Sequence, residues 1–259
     1  MVRGGTPFSS VIGALSATES VVVPWVQNAL LSGRWPESYQ VTVDSGPYYG
    51  AGDGYFHPST HAMMGARELY YRFHPDHRDQ LVHENRTAGS EIAMSVGSAI
   101  HAVFQTQLIV SGLVSGPDAC EVEYVIEDHN VRGRADFLVD HPDGTPYVGE
   151  LKTISSRGFN LQETIKPSWD AQLSMALHGL GRERGVLVML EVGYPYRMRE
   201  FVIGKNEKLL QSVFDKFDHV RECIAAGTPP AHCCALDSVE MKSCPARFEC
   251  WLSDGRRAP

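Results

Sequence analysis

The segment VRGRADFLVDHPDGTPYVGELKT, residues 131–153, decides how this chain folds. Val131–Val139 alternates or runs apolar, and Pro146–Thr153 reads as a further strand. Asp143-Gly144 between them is a strong hairpin signal, so the two runs are expected as neighbouring antiparallel strands. Glu150 and Lys152 stand two residues apart and project from one face of their strand, while Leu151 points the other way, into the core. In such a hairpin Asp136 and Glu150 converge at one end of the sheet. Two carboxylates, with the Leu151 carbonyl along the same edge, make a hard-oxygen site of the kind Mg²⁺ or Mn²⁺ prefers. An ion there lowers the pKa of a water and neutralises charge on a phosphate oxygen, and the Lys152 ammonium beside it stabilises the charge that builds up during attack. Glu-x-Lys alone is a common surface pattern. The aspartate on the preceding strand and the glycines upstream of both acids, Gly133 and Gly149, set this one apart.

Outward from the hairpin, Cys120–Glu127 reads as a first strand, with Asp128-His129-Asn130 as the turn. Upstream, a helix is expected from Ser59 or Thr60 to about Phe73, stopped by Pro75. A second runs from Ser90 to about Ser111, with Val96, Ile100, Val103, Phe104 and Leu108 on one stripe and Gly112 closing it. Downstream come a helix capped by Ser168, a buried strand at Gly185–Val192, a strand at Met198–Ile203 and a helix from about Asn206 to Ala226. This order argues α/β or α+β, with a mixed central sheet flanked by helices. Residues 1–55 are expected as an N-terminal extension that includes a helix within Thr18–Arg34 and a loop at Gly46–Gly54. Residues 56–226 form the main domain, and residues 227–259 a cysteine-rich C-terminal tail packed on it.

The chain has 259 residues, of which 43% are hydrophobic and 21% charged, which excludes a mostly disordered protein. Its net charge of −8, from 31 acidic and 23 basic residues, counts against bulk attraction to nucleic acid or an anionic membrane. No run approaches the roughly 20 apolar residues that span a bilayer, and Met1–Ala17 lacks the apolar region of an export signal. A cytoplasmic setting without a membrane partner is therefore expected. Of the six cysteines, five fall between Cys223 and Cys250, which points to a local metal site rather than a framework of bridges.

The order and spacing of these motifs resemble those of the PD-(D/E)XK nuclease superfamily, in its RecB-like branch, which includes CRISPR-associated and phage-encoded iron–sulfur exonucleases. The resemblance rests on Gly97 with His101, Gly133 with Asp136, Glu150 with Lys152, and Gln172, and covers about residues 56–252. It implies a restriction-endonuclease-like core. It also implies a metal-dependent DNA exonuclease acting on single strands or duplex ends, in phage or bacterial recombination, repair or processing, within a bacterium or a bacterial host cell. By the same resemblance His101 joins Asp136, Glu150 and the Leu151 carbonyl as a metal ligand. Lys152 assists the attacking water, and Gln172 orients Lys152 or the scissile strand. A neutral imidazole suits Mn²⁺ better than Mg²⁺. Where the family often has a tyrosine four residues after the glutamine, this chain has Ala176, which bears on strand preference more than on metal chemistry. Two other functions share much of this pattern: a catalytically silent nucleic-acid-binding module of a recombination or CRISPR-adaptation complex, and a structure-specific endonuclease. A homo-oligomer or a recombination-protein partner is compatible with each.

The tail offers Cys233, Cys234, Cys244 and Cys250, the number of thiolates that a 4Fe-4S cluster or a tetrahedral Zn²⁺ takes. In the iron–sulfur relatives three ligands follow the last helix, and a fourth comes from an early helix in a Cys-x-Arg-x-x-Tyr context. Here that context reads Gly65-Ala66-Arg67-Glu68-Leu69-Tyr70, with glycine at the cysteine's place, and Met241 stands where the family's Cys-x-x-Cys begins. Cys233 or Cys234 replaces the lost ligands, or Cys223 or Cys120 contributes, or the thiols are free and buried. Finally, Arg132, Arg134, Arg157 and Lys166 collect around the acidic motif, and a locally positive DNA-binding groove is expected there.

Overall fold

One five-stranded mixed sheet, in the order β1-β2-β3-β4-β5, organises the chain. Its strands are β1 (Cys120–Ile126), β2 (Val131–Asp140), β3 (Pro146–Ser155), β4 (Arg184–Val192) and β5 (Met198–Gly204). Only β3 and β4 run parallel; the other neighbours are antiparallel. In chain order the helices are α1 (Val23–Leu31), α2 (Pro58–His61), α3 (Ala66–Phe73), α4 (Ala88–Ser111), α5 (Ser156–Leu161), α6 (Pro167–Gly179), α7 (Glu207–Ala226), α8 (Val239–Ser243) and α9 (Arg247–Leu252). The computed structural model describes residues 20–34, 36, 53–81 and 87–252. Most of the Gly46–Gly54 loop, the first 19 residues and the last seven of the tail lie outside the described residues.

The apolar run of β4 is buried on both sides, as a strand covered on both faces requires. Val186 and Val188 join Tyr147 and Leu151 of β3 under Phe104 and Leu108 of α4, Val26 of α1 and Val22 just ahead of it. Leu187 and Met189 join Val148 under Leu173 and Leu177 of α6 and Phe214 and Phe217 of α7. This is a helix–sheet–helix arrangement consistent with the PD-(D/E)XK-like core.

Part of the expected N-terminal extension belongs to the core. Val21, Val22 and Val26 are buried. The backbone N–H groups of Val21, Val22 and Val23 donate to the carboxylate of Glu200 on β5, at 2.5, 2.9 and 2.9 Å. These are the donors that a helix start leaves unsatisfied, and a carboxylate is the group its dipole favours.

Elsewhere the elements differ from expectation in ways local chemistry explains. The helix expected over Ser59–Phe73 is two helices, α2 and α3, with Gly65 extended between them at φ −68°, ψ 146°. α6 begins at Pro167 with Lys166 at the N-cap, ahead of Ser168, because proline is pre-set for the first helical turn. In α4 the apolar stripe reaches the sheet late: Phe104 and Leu108 are buried, whereas Ile92 and Val96 are exposed. By length and composition α4 qualifies as a candidate membrane span, which counting uninterrupted apolar runs did not reveal. Here its second half lies on the sheet instead.

The feature that positions the site is where one ladder stops. β2 and β3 pair only from Asp140–Pro146 to Phe137–Gly149, while β1 follows β2 from Val131 to Phe137. At that point β2 also changes face. Phe137 joins the α1/α4 side and Ala135, two residues earlier, the α6/α7 side. Regular alternation would put both on one side. The Phe137 ring lies directly over Gly149, where a β-carbon would collide with it. Gly149→Ala is therefore expected to cost ~1–3 kcal/mol of stability through overpacking, read as a lower urea midpoint with an unchanged far-ultraviolet dichroism spectrum.

Candidate active site

Asp136 and Glu150 follow the last rung of the β2–β3 ladder. Freed from backbone pairing, the Leu151 N–H donates to Asp136 Oδ2 at 2.6 Å. A residue's N–H and C=O share one edge of a strand, so the Leu151 carbonyl borders the same cleft. Its side chain is buried on the α1/α4 face, as expected.

On the opposite face Glu150 and Lys152 meet α6. Lys152 Nζ lies 2.7 Å from Glu150 Oε1 and donates to Gln172 Oε1 at 2.8 Å. The Gln172 amide nitrogen donates to the same Glu150 oxygen at 2.7 Å. The three side chains close a ring of charge-assisted bonds, with Gln172 as the strut between acid and base. Glu150 is 2% exposed and Gln172 9%, so the ring is held in place by its surroundings.

α4 brings His101 to the other side of Asp136, with Nδ1 3.6 Å from Asp136 Oδ2. One turn on, Gln105 donates to the Asp136 backbone carbonyl at 2.9 Å and to Glu121 Oε1 at 2.5 Å. Arg134 pairs with the other Glu121 oxygen at 2.7 Å. Among the described residues the donors that gather within 4.8 Å of one another are His101, Glu121 and Asp136. Glu150 is outside that trio, committed to Lys152 and Gln172. Sequence reading had overlooked Glu121 and Gln105. Glu121 was out of its reach, since the expected Asp128–Asn130 turn would set Val122 opposite Asp136, whereas the observed pairing of Ile126 with Val131 brings Glu121 there.

Burial dominates the electrostatics. It pushes Asp136 up to about 7, against the pull of Lys152 and the Leu151 N–H. It likewise raises Glu150 to about 7, with Asp136 adding to the effect and Lys152 opposing it. For His101 burial favours the neutral imidazole and outweighs the acids around it. For Lys152 burial acts downward, but Glu150 and Asp136 prevail and hold the ammonium charged above its ordinary range.

The four expected basic residues are not equally placed. Arg134 is tied to Glu121 at the cleft. Arg132 pairs with Asp53 at 3.3 Å and lies over the Tyr55 ring. Arg157 and Lys166 are exposed on α5 and ahead of α6, with the Lys166 ammonium over Trp169.

The tail folds against α3. Arg67 donates to the carbonyls of Pro230 at 2.8 Å and Cys250 at 3.2 Å, and Tyr70 and Tyr71 pack with Met241 and Trp251. Cys233, Cys234 and Cys244 line one cavity of about 600 Å³ with Gly65 and Glu68. Cys250 is buried beside it, its Sγ 3.3 Å from His232 Nδ1. A side chain at Gly65 would collide with Cys233 Sγ, so this thiol takes the space that the glycine leaves. Burial raises Cys234, Cys250 and, to about 12, Cys244. Cys223 on α7 lies at the margin of this cluster, whereas Cys120 belongs to β1 beside Glu121.

No protein-family model matches the sequence, and no curated protein matches it. Among solved structures the chain is similar to SSO0001, at 16% identity and a TM-score of 0.45, over 86% of this chain and 93% of that one. It is also similar to LHK-Exo in complex with dAMP, at 15% identity and a TM-score of 0.47, over 67% of this chain and 89% of that one. A second structure of that protein, an alkaline exonuclease from Laribacter hongkongensis, gives 14% and 0.42 over the same shares.

The two raised carboxyls give a stability signature. Between the ordinary carboxylate range near pH 4 and about 7, the folded chain binds more protons here than the unfolded chain. Their contribution is therefore full below about pH 4 and lost as pH rises through about 7. In EDTA, Asp136→Asn is expected to raise the urea midpoint at pH 8 and to change it little at pH 4, which removes part of the wild-type decline between those values.

Proposed function

We propose that this protein is a divalent-metal-dependent deoxyribonuclease that hydrolyses phosphodiester bonds as an exonuclease, on single strands or duplex ends. The observation that carries this reading is the Glu150–Lys152–Gln172 ring closed beside Asp136 and His101 where β2 and β3 part. A buried acid pair next to a fixed ammonium and a neutral imidazole is suited to receiving a phosphate together with a cation.

The donors fit Mg²⁺ or Mn²⁺: hard carboxylate oxygens, a carbonyl edge and one imidazole. An ion held by His101, Asp136, Glu150 and the Leu151 carbonyl would supply positive charge against the scissile phosphate and acidify water beside it. The chain's own groups do the rest. Lys152 keeps its proton, so it acts as a donor and a positive charge toward a phosphate oxygen rather than as a base. Two of its three N–H donors are taken by Glu150 and Gln172, which aims the third. Gln172 positions Lys152 and leaves the DNA strand to other groups. Arg157 and Lys166, exposed near α6, are the residues we assign to the DNA backbone, with Arg134 at the cleft. Bacterial or phage DNA recombination, repair or processing, in the cytoplasm, is the setting we infer with this activity.

The tail fits a thiolate-bound group. A tetrahedral zinc with bonds of ~2.3 Å would bring its sulfurs within ~4.6 Å of one another. A 4Fe-4S cluster is the group we assign to Cys233, Cys234 and Cys244, which line one cavity, and Cys250 beside it, and it would hold the tail on α3.

Labelled linear and circular DNA, incubated with Mg²⁺ or Mn²⁺, tests the first reading. Linear substrates are expected to be degraded from their ends, and Lys152→Ala to slow this by ~10²–10³-fold. Cutting of circles would replace it with an endonuclease, and binding without cleavage with a silent module. For the tail, anaerobically prepared protein is expected to be brown with visible thiolate-to-iron absorption, and Cys233→Ala to lose the colour. A colourless, metal-free, folded wild type would leave the cysteines as free thiols.

A further inference from the structure

Glu121 is the second residue of β1 and has φ +54°, a left-handed conformation uncommon for glutamate. The flanking pairs Cys120–Phe137 and Val122–Ala135 set it across from Asp136. Two acids directly opposite on adjacent strands repel, so this placement costs stability unless something positive answers it. Glu121 nevertheless faces the pocket. Gln105 holds one of its oxygens at 2.5 Å and Arg134 the other at 2.7 Å. Gln105 also bonds the Asp136 carbonyl, so one amide fixes the spacing of both strands at this point. His101 stands four residues before Gln105 on α4, on the same helix face.

We propose that Glu121 is a further ligand of the metal centre, a carboxylate from β1 that joins His101 and Asp136 on the side away from Glu150 and for which Arg134 competes with the cation. This rests on the reading of the same pocket as a metal-dependent nuclease site. One imidazole and two carboxylates, converging within 4.8 Å, leave positions open for water and a phosphate oxygen. The assignment also explains a division of labour. Glu150 spends an oxygen on Lys152 and Gln172, and Glu121 provides a second acid whose partners are more easily exchanged. The Arg134 side chain is 49% exposed, so it can leave Glu121 without breaking the core.

Mn²⁺ binding to the full-length protein, followed by the electron paramagnetic resonance of the free ion, tests this. Wild type, Glu121→Gln, Arg134→Gln and Asp136→Asn are compared, with thermal melts in EDTA confirming that each folds. Glu121→Gln is expected to weaken binding by at least ~10-fold, the lower end of the loss seen when a group supporting a metal ligand is removed. Arg134→Gln is expected to tighten it, and Asp136→Asn to weaken it strongly. Wild-type affinity in Glu121→Gln with loss in Asp136→Asn overturns the assignment and leaves the nuclease reading standing. Weaker binding in Arg134→Gln overturns the competition. Absence of Mn²⁺ binding by folded wild type overturns both the assignment and the metal-dependent reading.

Discussion

The β2–β3 ladder ends at the rung where the Phe137 ring lies on Gly149, and the active-site geometry follows from where it ends. Past this rung each strand must find other partners for its backbone, because a buried N–H left unpaired is costly. β3 has β4 beside it along its whole length, from Tyr147 to Ser155. On its other edge the Leu151 N–H takes the Asp136 carboxylate in place of a backbone carbonyl. A side chain thus stands in for a rung, which satisfies the donor and fixes the acid in a single bond. The same departure of β2 opens the space that His101 and Gln105 of α4 enter.

The pocket concentrates charge that the fold has to hold apart. Glu121, Asp136 and Glu150 outnumber Lys152 and Arg134, and the imidazole adds no charge while neutral. Asp136 has an acid on either side of it, Glu121 on β1 and Glu150 on β3, and both its burial and these neighbours oppose its ionisation. Such a site gains from a cation, which reverses the meaning of the chain's net charge of −8. Acidity overall tells against nonspecific attraction to DNA, while acidity gathered at one buried point is a means of holding positive charge there.

Much of this was legible in the sequence because it depends on short-range rules. The Asp-Gly turn predicted the hairpin, and the two-residue spacing put Glu150 and Lys152 together on the face that α6 covers. What escaped depends on register and on distant partners. Glu121 is one of several acids on β1 until the pairing with β2 is known. The fit of Cys233 against Gly65 brings together residues far apart in the chain, which no local propensity encodes. Arg132 and Arg134, two apart on one strand, looked equivalent; one meets Asp53 and Tyr55, the other Glu121. The cysteine spacing pointed to one local site. The fold gathers three of the thiols around a cavity and sets the fourth beside it, next to His232.

The bond between Glu200 and the start of α1 joins residues 179 positions apart. α1 is synthesised before the strands on which it sits, since its seat includes β4, β5 and the Leu151 face of β3 as well as α4. Chain synthesis is slow compared with helix formation, so α1 waits for β5 to be made before it can dock fully. Until then Leu151, Val186 and Val188 lack part of their cover, and the backbone segment that steadies Asp136 rests on an unfinished core. The order of synthesis thereby delays the finished pocket until β5 has been made.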